Sequence, residues 1–533
     1  MRALREERAE SPHEHHHPAS APAQPASVRI RNTVDATLGR VTMYRLVVIC
    51  LGLLVALAFA LSFAGVLYYE PADLAATLAV LLAVTYGSNR LYGAMFGVHP
   101  HAESGLITAG LLFFLLWPST EPLELLAIAL AAAAASASKY LIAYRGRHIV
   151  NPAAAGVLFV TLLQLSGGVW WVATAPMLPA VAGLALVVAY RTRRLPVVAL
   201  FVAVAGALMV GFRLADGDAA ADAIEYAFVT TPVVFFAGFM LTEPLTLPPT
   251  RRQQLAVAAG VAVLFALPTL VGIDLGFVAL TPELALIIGN VAAFLLGQRR
   301  GIGLTLTGKR SFGPTTAEFT FTPDAPVRFK PGQYLELTLP HGRADSRGTR
   351  RVFSIASADT SGETVSVGIK IPADGASSFK RELADLPTGT HLRATTVGGD
   401  FVLPADPAQP LLLVAGGIGI TPFLSQLAEC ARTGRDVALV YGVTDPAEIP
   451  YSGELAAFGI PVVLAVPGSP QGVPDGWRLV DGFLSADVLR SVVPDLRSRV
   501  AYVSGPPAMV NALSDALREQ GARGVKTDAF IGY

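Results

Sequence analysis

Apolar residues fill the chain from about 41 to 298 in ten runs: roughly 44–67, 73–94, 104–117, 122–143, 151–165, 170–189, 195–214, 228–241, 255–271 and 281–297. Several reach about 20 residues, the length a helix needs to cross a bilayer core. The third and eighth are short, roughly 14 residues. Beyond residue 304 the pattern changes to short stretches of branched and aromatic residues broken by Gly, Pro and Asp, which predicts strands and turns. The chain therefore reads as a polytopic α-helical membrane domain, 41–298, followed by strand-rich and mixed domains.

The flanks of the runs alternate in charge. Arg29, Arg31, Arg40 and Arg45 precede the first; Lys139, Arg145 and Arg147 follow the fourth; Arg191, Arg193 and Arg194 follow the sixth; Arg251 and Arg252 follow the eighth; Arg299 and Arg300 follow the tenth. The opposite loops carry Glu70, Asp73, Glu121, Glu124, Asp216, Asp218, Asp222, Glu225 and Asp274. By the positive-inside rule both chain ends face the cytoplasm of a multi-pass protein in the cell membrane. The runs also pair five with five: Trp117-Pro118-Ser119-Thr120-Glu121-Pro122 closes the short third run and Leu241-Thr242-Glu243-Pro244 the short eighth. A five-helix unit repeated in one membrane is inverted in its second copy, and interrupted helices then meet at a ligand near the midplane.

Composition narrows the chemistry. Hydrophobic residues make up 53% and charged ones 15%, too greasy for a fully soluble chain. Formal net charge is zero, so nothing points to nucleic acid. Two cysteines, Cys50 and Cys430, are too few for an iron–sulfur cluster or a zinc site. Residues 1–40 read as a disordered cytoplasmic tail without an ordinary signal peptide, and His13 to His17 as polar tail rather than a metal site. Within the membrane part His99, His101 and His148 all lie at the ends of runs, so no helix is spaced to grip stacked haems. Electron chemistry, if any, falls to organic cofactors or to a single haem.

Two stretches suggest such cofactors. Arg351-Val352-Phe353-Ser354-Ile355-Ala356-Ser357 reads as a short strand in which an arginine stands beside an aromatic and hydroxyls. A buried arginine needs an anion. Arg351 suits a pyrophosphate, Phe353 the face of a ring system, and Ser354 the ring nitrogen that takes a hydride. Leu411 to Ala415 is a buried apolar strand running into Gly416, Gly417 and Gly419, with a helix expected to start at Thr421-Pro422, Thr421 as N-cap. Glycines and a helix N-terminus admit a phosphate. A further strand, Val437 to Tyr441, and another ending at Ser504-Gly505-Pro506 complete the pattern.

With Pro331-Gly332-Gln333-Tyr334 and Gly375-Ala376-Ser377-Ser378, these stretches resemble, in order, the ferredoxin–NADP⁺ reductase superfamily over residues 304–533. The resemblance implies an antiparallel FAD-binding β-barrel over 304–405 and a Rossmann-like α/β NAD(P)-binding domain over 406–533. It implies FAD contacts from Tyr334, Arg351, Phe353, Ser354, Lys370, Gly375, Ser377 and Ser378. It implies an NAD(P)H site at Gly416, Gly417, Gly419, Thr421, Pro422, Gly505 and Pro506, with hydride chemistry beside Ser354 and Ser504 and with Phe530 and the terminal Tyr533 covering the flavin. The family usually carries Cys where this chain has Ser504.

A second resemblance covers about 41–298. Glu103-Ser104-Gly105-Leu106-Ile107-Thr108-Ala109-Gly110, Asn151-Pro152-Ala153 and Phe239-Met240-Leu241-Thr242-Glu243-Pro244 are similar to the flavin-binding membrane subunit shared by the Rnf and Na⁺-translocating NADH:quinone reductase complexes. It implies a second flavin, FMN or riboflavin, in the membrane. The Ser-Gly-Ala-Thr attachment motif of that family does not occur; Val172-Ala173-Thr174 is the nearest fragment, so non-covalent binding is expected. Candidate ligands are Ser104 and Thr108, one turn apart; Asn151; Thr231 with Thr230 and Pro232 at the start of the other short helix; Thr242; and Glu243 at a helix end. The combined reading is a flavoenzyme that oxidises cytoplasmic NAD(P)H and passes electrons through the membrane to a quinone or an extracytoplasmic redox protein. A redox-driven cation transporter and a membrane-anchored cytosolic flavin reductase are the alternatives. Val443-Thr444-Asp445, without arginines for a 2′-phosphate, favours NADH.

Overall fold

The computed structural model describes residues 33–34, 38, 41–97, 102–144, 147–271, 280–297, 301–342, 344–345, 348–445, 447–468, 470 and 472–530. The tail, His99, His101, Asp274, Arg299, Arg300 and Tyr533 lie outside them, apart from Thr33, Val34 and Leu38 of the tail.

The helical half runs α1 (Met43–Phe63), α2 (Pro71–Met95), α3 (Ala102–Leu115), α4 (Pro122–Leu141), α5 (Pro152–Leu162), α6 (Leu178–Arg191), α7 (Leu195–Ala215), α8 (Ala220–Thr230), α9 (Val233–Met240), α10 (Arg251–Val271) and α11 (Pro282–Leu296). Several starts follow from local chemistry. Pro71, Pro122, Pro152 and Pro282 open their helices, where a missing N–H costs nothing. Asn151 caps α5 by accepting from Ala154 N at 3.1 Å, and Thr281 caps α11 through Leu284 N at 3.4 Å. Between α4 and α5 a short hairpin, β1 (Ala143–Tyr144) and β2 (Arg147–His148), turns the chain.

Five of these helices, α1, α2, α4, α7 and Arg251–Thr269 of α10, are long and apolar enough to cross a membrane; α8 and α9, bent by 47° at their junction, make a sixth if they form one span. The third, fifth, sixth and tenth runs form helices of 10–17 residues, shorter than a span. The 170–189 run in particular begins as an irregular loop, because Val169 N and Trp170 N donate to Leu115 O and Trp171 Nε1 donates to Phe113 O, tying that segment to the end of α3. The two short elements of the expected repeat differ: α3 is continuous, whereas α8 and α9 carry π-helical turns at Tyr226–Thr230 and Phe236–Met240. Such turns leave backbone groups off the regular ladder. Small residues allow close approach: a Cβ on Gly156 would lie 2.4 Å from Ala131 O, so α5 packs backbone to backbone on α4.

The C-terminal half contains two sheets. β3 (Ile302–Ser311), β4 (Thr316–Pro323), β5 (Tyr334–Thr338), β6 (Arg350–Ser354), β7 (Val365–Lys370) and β8 (His391–Gly398) pair antiparallel in the order β6-β5-β8-β3-β4-β7. The bridge Ile355↔Val367 joins the two edges and closes a barrel. Leu304, Phe319, Phe321, Leu335, Leu337, Val367 and Phe379 fill it. A helix, α12 (Ser378–Asp385), covers one end, capped by Ser377. The second sheet holds β9 (Leu411–Gly416), β10 (Val437–Gly442), β11 (Val462–Val466), β12 (Arg478–Asp481), β13 (Val500–Gly505) and β14 (Gly524–Ala529), all parallel, in the order β12-β11-β10-β9-β13-β14. Helices α13 (Thr421–Thr433), α14 (Ser452–Ala457), α15 (Ala486–Val492) and α16 (Pro507–Glu519) connect its strands. β9 is buried along its whole length, as expected of a central parallel strand. Ser425 Oγ accepts from Gly332 N at 3.0 Å and Glu448 accepts from Thr315 N at 2.7 Å, fixing the α/β domain on the barrel.

Candidate active site

The order of the parallel sheet reverses between β9 and β13, and such a switch point opens a crevice at the carboxyl ends of the strands. Gly416 ends β9 and Gly505 ends β13, so both turns stand at that crevice. Across it lies β6 of the barrel. Its register pairs Ser354 with Tyr334, Phe353 with Leu335 and Arg351 with Leu337. One cavity of about 2270 Å³ contains both sides and continues to residues of the helical half. A single small-molecule site occupies roughly 300–1,000 Å³, so there is room here for more than one ligand.

Of the residues expected from sequence, Tyr334, Arg351, Phe353, Ser354, Lys370, Gly416, Gly417, Thr421, Gly505, Pro506 and Phe530 border this cavity. Arg351 is 8% exposed. Its guanidinium lies 5.4 Å from the centre of the Phe379 ring, donates from Nη1 to Gly348 O and Arg350 O, and has Asp345 Oδ1 at 4.0 Å. Phe353 and Phe379 lie 5.8 Å apart at 38°, leaving Phe353 as a half-buried wall. A buried cation, an aromatic wall and a hydroxyl on one strand fit a flavin dinucleotide: Arg351 for the pyrophosphate, Phe353 and Ser354 for the ring system. Gly417 has φ +53, a turn that no side chain obstructs.

Other expected residues stand elsewhere. Ser378 Oγ accepts from Asp345 N at 2.9 Å and contacts His341 Nε2 at 2.9 Å, so it braces the 341–345 loop. Ser377 is spent on capping α12, and Gly375, φ +73, serves the turn before it; neither borders the cavity. Gly419 packs against β13, where a Cβ would lie 2.4 Å from Ser504 O. Thr421 is helical rather than an N-cap; a 3₁₀ turn, Gly417–Ile420, precedes α13, and Thr421 Oγ1 donates back to Ile418 O. Pro422 is buried within the first turn of α13 and is not part of the cavity wall. Ser504 is fully buried behind the wall, with no hydrogen-bond partner for its hydroxyl.

In the helical half Ser104 borders the cavity, where its carbonyl and hydroxyl accept from Lys139 Nζ at 3.0 and 3.1 Å. The remaining candidates do not border it. Thr108, Thr231 and Thr242 donate to Ser104 O, Ala227 O and Gly238 O, each four residues back along the chain. Asn151 caps α5 and donates to Glu243 Oε2 at 2.9 Å, while His148 Nε2 meets Glu243 Oε1 at 2.7 Å.

Sequence reasoning missed Asp528. It pairs in register with Ser504, borders the cavity, and its Oδ2 accepts from Ser354 Oγ at 3.5 Å. Burial pushes its carboxyl up to about 6, against Arg193 and the Ser354 bond, which pull it down. An acidic residue near the end of a strand, two positions before Phe530, was the available signal. Lys139 was read only as a topogenic charge; its place in the last turn of α4 gave no hint of Ser104.

Residues 413–515 match the oxidoreductase NAD-binding domain family. The chain is 28% identical over 214 residues to the glycine betaine monooxygenase reductase subunit of Chromohalobacter salexigens, covering 38% of this chain and 56% of that one. It is 31% identical over 201 residues to the toluate 1,2-dioxygenase electron transfer component of Pseudomonas putida, covering 37% and 56%. The chain thus spans about half the length of these relatives. Among solved structures, a cytochrome P450 reductase of Amycolatopsis is similar at 26% identity, with TM-score 0.38 over 43% of this chain and 70% of that one. The C-terminal part is therefore ferredoxin-reductase-like, a barrel followed by a nicotinamide-type α/β domain.

Proposed function

We propose that the chain is a membrane flavoenzyme that oxidises cytoplasmic NAD(P)H and hands the electrons to an acceptor held by its helical half. The observation that carries this reading is the single cavity bordered by Gly416 and Gly417, by Arg351, Phe353 and Ser354, and by Ser104 and Lys139. FAD supplies the chemistry when bound: it accepts a hydride and releases electrons singly. The chain's own residues do the rest. The turns after β9 and β13 hold the dinucleotide phosphates against backbone N–H groups. Arg351 would neutralise the flavin's pyrophosphate, Phe353 would shield one ring face from water, and Ser354 would place its hydroxyl at the hydride-accepting edge. Asp528, joined to Ser354, holds a proton there below about pH 6 and is a carboxylate above it. Phe530, fixed by its N–H to Gly505 O at 2.9 Å, covers the nicotinamide side; Tyr533 follows it in sequence.

A second flavin, or a quinone, fits beside Ser104 and Lys139, where an ammonium and a hydroxyl border the cavity. Thr108, Thr231 and Thr242 are poor ligands because their hydroxyls are already engaged. The 5+5 inverted repeat, the cytoplasmic position of both ends and the Rnf-like family remain parts of this reading; the loop charges support the orientation, and the five candidate spans, six if α8 and α9 form one, support a polytopic helical half. The relatives' names, reductase and electron-transfer components, agree with a donor to another redox centre. The test is a cofactor count. Two flavins per purified chain, one lost on removing residues 41–298, support the relay. One flavin that stays with residues 304–533, and no other chromophore, reduces the helical half to an anchor.

A further inference from the structure

The barrel is bonded to the helical half through Arg147, on β2. Its Nη1 donates to Glu336 Oε2 on β5 at 3.2 Å. Its Nε donates to Leu245 O at 3.3 Å and its Nη2 to Pro244 O at 3.2 Å. The side chain is only 10% exposed and that of Glu336 19%, so water screens the pair little. A planar guanidinium that grips a carboxylate and two carbonyls at once fixes orientation as well as distance. The far side of this grip is anchored too. Glu243, directly before Pro244, meets His148 and Asn151, and Asn151 N donates to Asn290 Oδ1 on α11 at 2.8 Å. On the near side Glu336 lies two residues from Tyr334 and pairs in register with Val352, between Arg351 and Phe353. Bonds therefore run without a break from the strand pair that carries the flavin residues to helices α5 and α11.

We propose that Arg147 is a positioning residue that locks the flavin barrel to the helical half and so sets the distance over which electrons leave the reductase. This rests on the onward-transfer reading above. Hydride transfer from NADH takes place wholly within the C-terminal half and does not need the lock. Transfer into the helical half does, because electron transfer falls steeply with separation and a shift of about 1 Å in a positioned group costs up to roughly a hundredfold.

The experiment uses the full chain in proteoliposomes, with NADH added outside and ferricyanide either outside or trapped in the lumen. Each NADH yields NAD⁺, a proton and two electrons, which reduce two ferricyanide ions by one electron each. Arg147→Gln and Glu336→Gln are each expected to lower lumenal reduction about tenfold while leaving external reduction within about twofold. Amide exchange over residues 334–338 is expected to speed up in both variants at unchanged flavin content. Wild type that reduces external but not lumenal ferricyanide sinks the onward-transfer reading, and this proposal with it. Wild type that reduces both, with variants that match it or that lose both rates equally, sinks the role of Arg147 alone, as does unchanged exchange in the strand.

Discussion

The two halves of this chain use polar side chains in opposite ways. On β6 Arg351, Phe353 and Ser354 all border the cavity, and Ser354 finds its partner on a strand 174 residues away. In the helical half Thr108 on α3, and Thr231 and Thr242 just past the ends of α8 and α9, turn back on the carbonyl four residues earlier. In an apolar helix such a carbonyl is the nearest acceptor and always present, so a hydroxyl satisfies itself locally. A strand offers no such neighbour, because its own carbonyls belong to the ladder. Polar residues in the barrel thus report a site, whereas hydroxyls in the helices report little. Of the helical hydroxyls expected to bind, Ser104 reaches the cavity, and it does so with a charged partner from another helix, Lys139.

The sharpest way to break this comparison is to remove the barrel's cation. Arg351→Ala takes away the counter-charge proposed for the pyrophosphate. Losing one partner of a buried charged pair costs about 2–5 kcal/mol, so flavin affinity is expected to fall at least thirtyfold, and the purified variant to be largely colourless. Retention of stoichiometric flavin, measured by absorbance after gel filtration, contradicts the assignment of Arg351.

A smaller loss is expected on the nicotinamide side. In Gly419→Ala the new Cβ meets Ser504 O at 2.4 Å and the Gly505 backbone, so the β9 and β13 turns must part. Overpacking of this kind costs about 1–3 kcal/mol, which predicts a KM for NADH raised roughly tenfold with flavin content unchanged. Equal effects on both would place Gly419 in folding rather than in the crevice.

Much of the C-terminal half was legible because its signals are local: glycine-flanked apolar strands, a cation beside an aromatic, and turns in a fixed order. What was not legible depended on register. Asp528 reads as an ordinary polar residue until β14 pairs with β13 and brings it to Ser354. Ser377 and Ser378 share the composition of a phosphate loop yet cap α12 and brace the 341–345 loop. In the helical half, hydropathy located the helical runs but not their lengths, since the fold-back of Trp170 and Trp171 onto α3 comes from tertiary hydrogen bonds that periodicity does not encode.

Asp528→Asn sharpens the comparison through pH. With the folded carboxyl raised to about 6 by burial, the protonated form is favoured in the native protein. Stability contributed by that proton is present at low pH and lost as pH rises from about 4 through about 6. The asparagine variant is expected to lack this loss, and its hydride-transfer rate, read by stopped-flow bleaching of the flavin, to lack an inflection near pH 6. An inflection that persists in the variant assigns the proton to another group.

The smallest effect belongs to the helices. Thr242→Val removes a buried hydroxyl whose hydrogen bond, to Gly238 O at 2.7 Å, lies within its own turn. Valine nearly matches threonine in shape, and side-chain hydrogen bonds between groups in membrane proteins average about 0.6 kcal/mol. Flavin content and NADH oxidation are therefore expected to stay within about twofold of wild type. Ser104→Ala, by contrast, takes one acceptor from Lys139 and alters the cavity wall, so it is expected to weaken whatever acceptor sits there. If Thr242→Val instead strips a flavin from the helical half while Ser104→Ala spares it, self-satisfied hydroxyls in these helices do report a site, and the contrast between the two halves fails at the residue where it is most cleanly drawn.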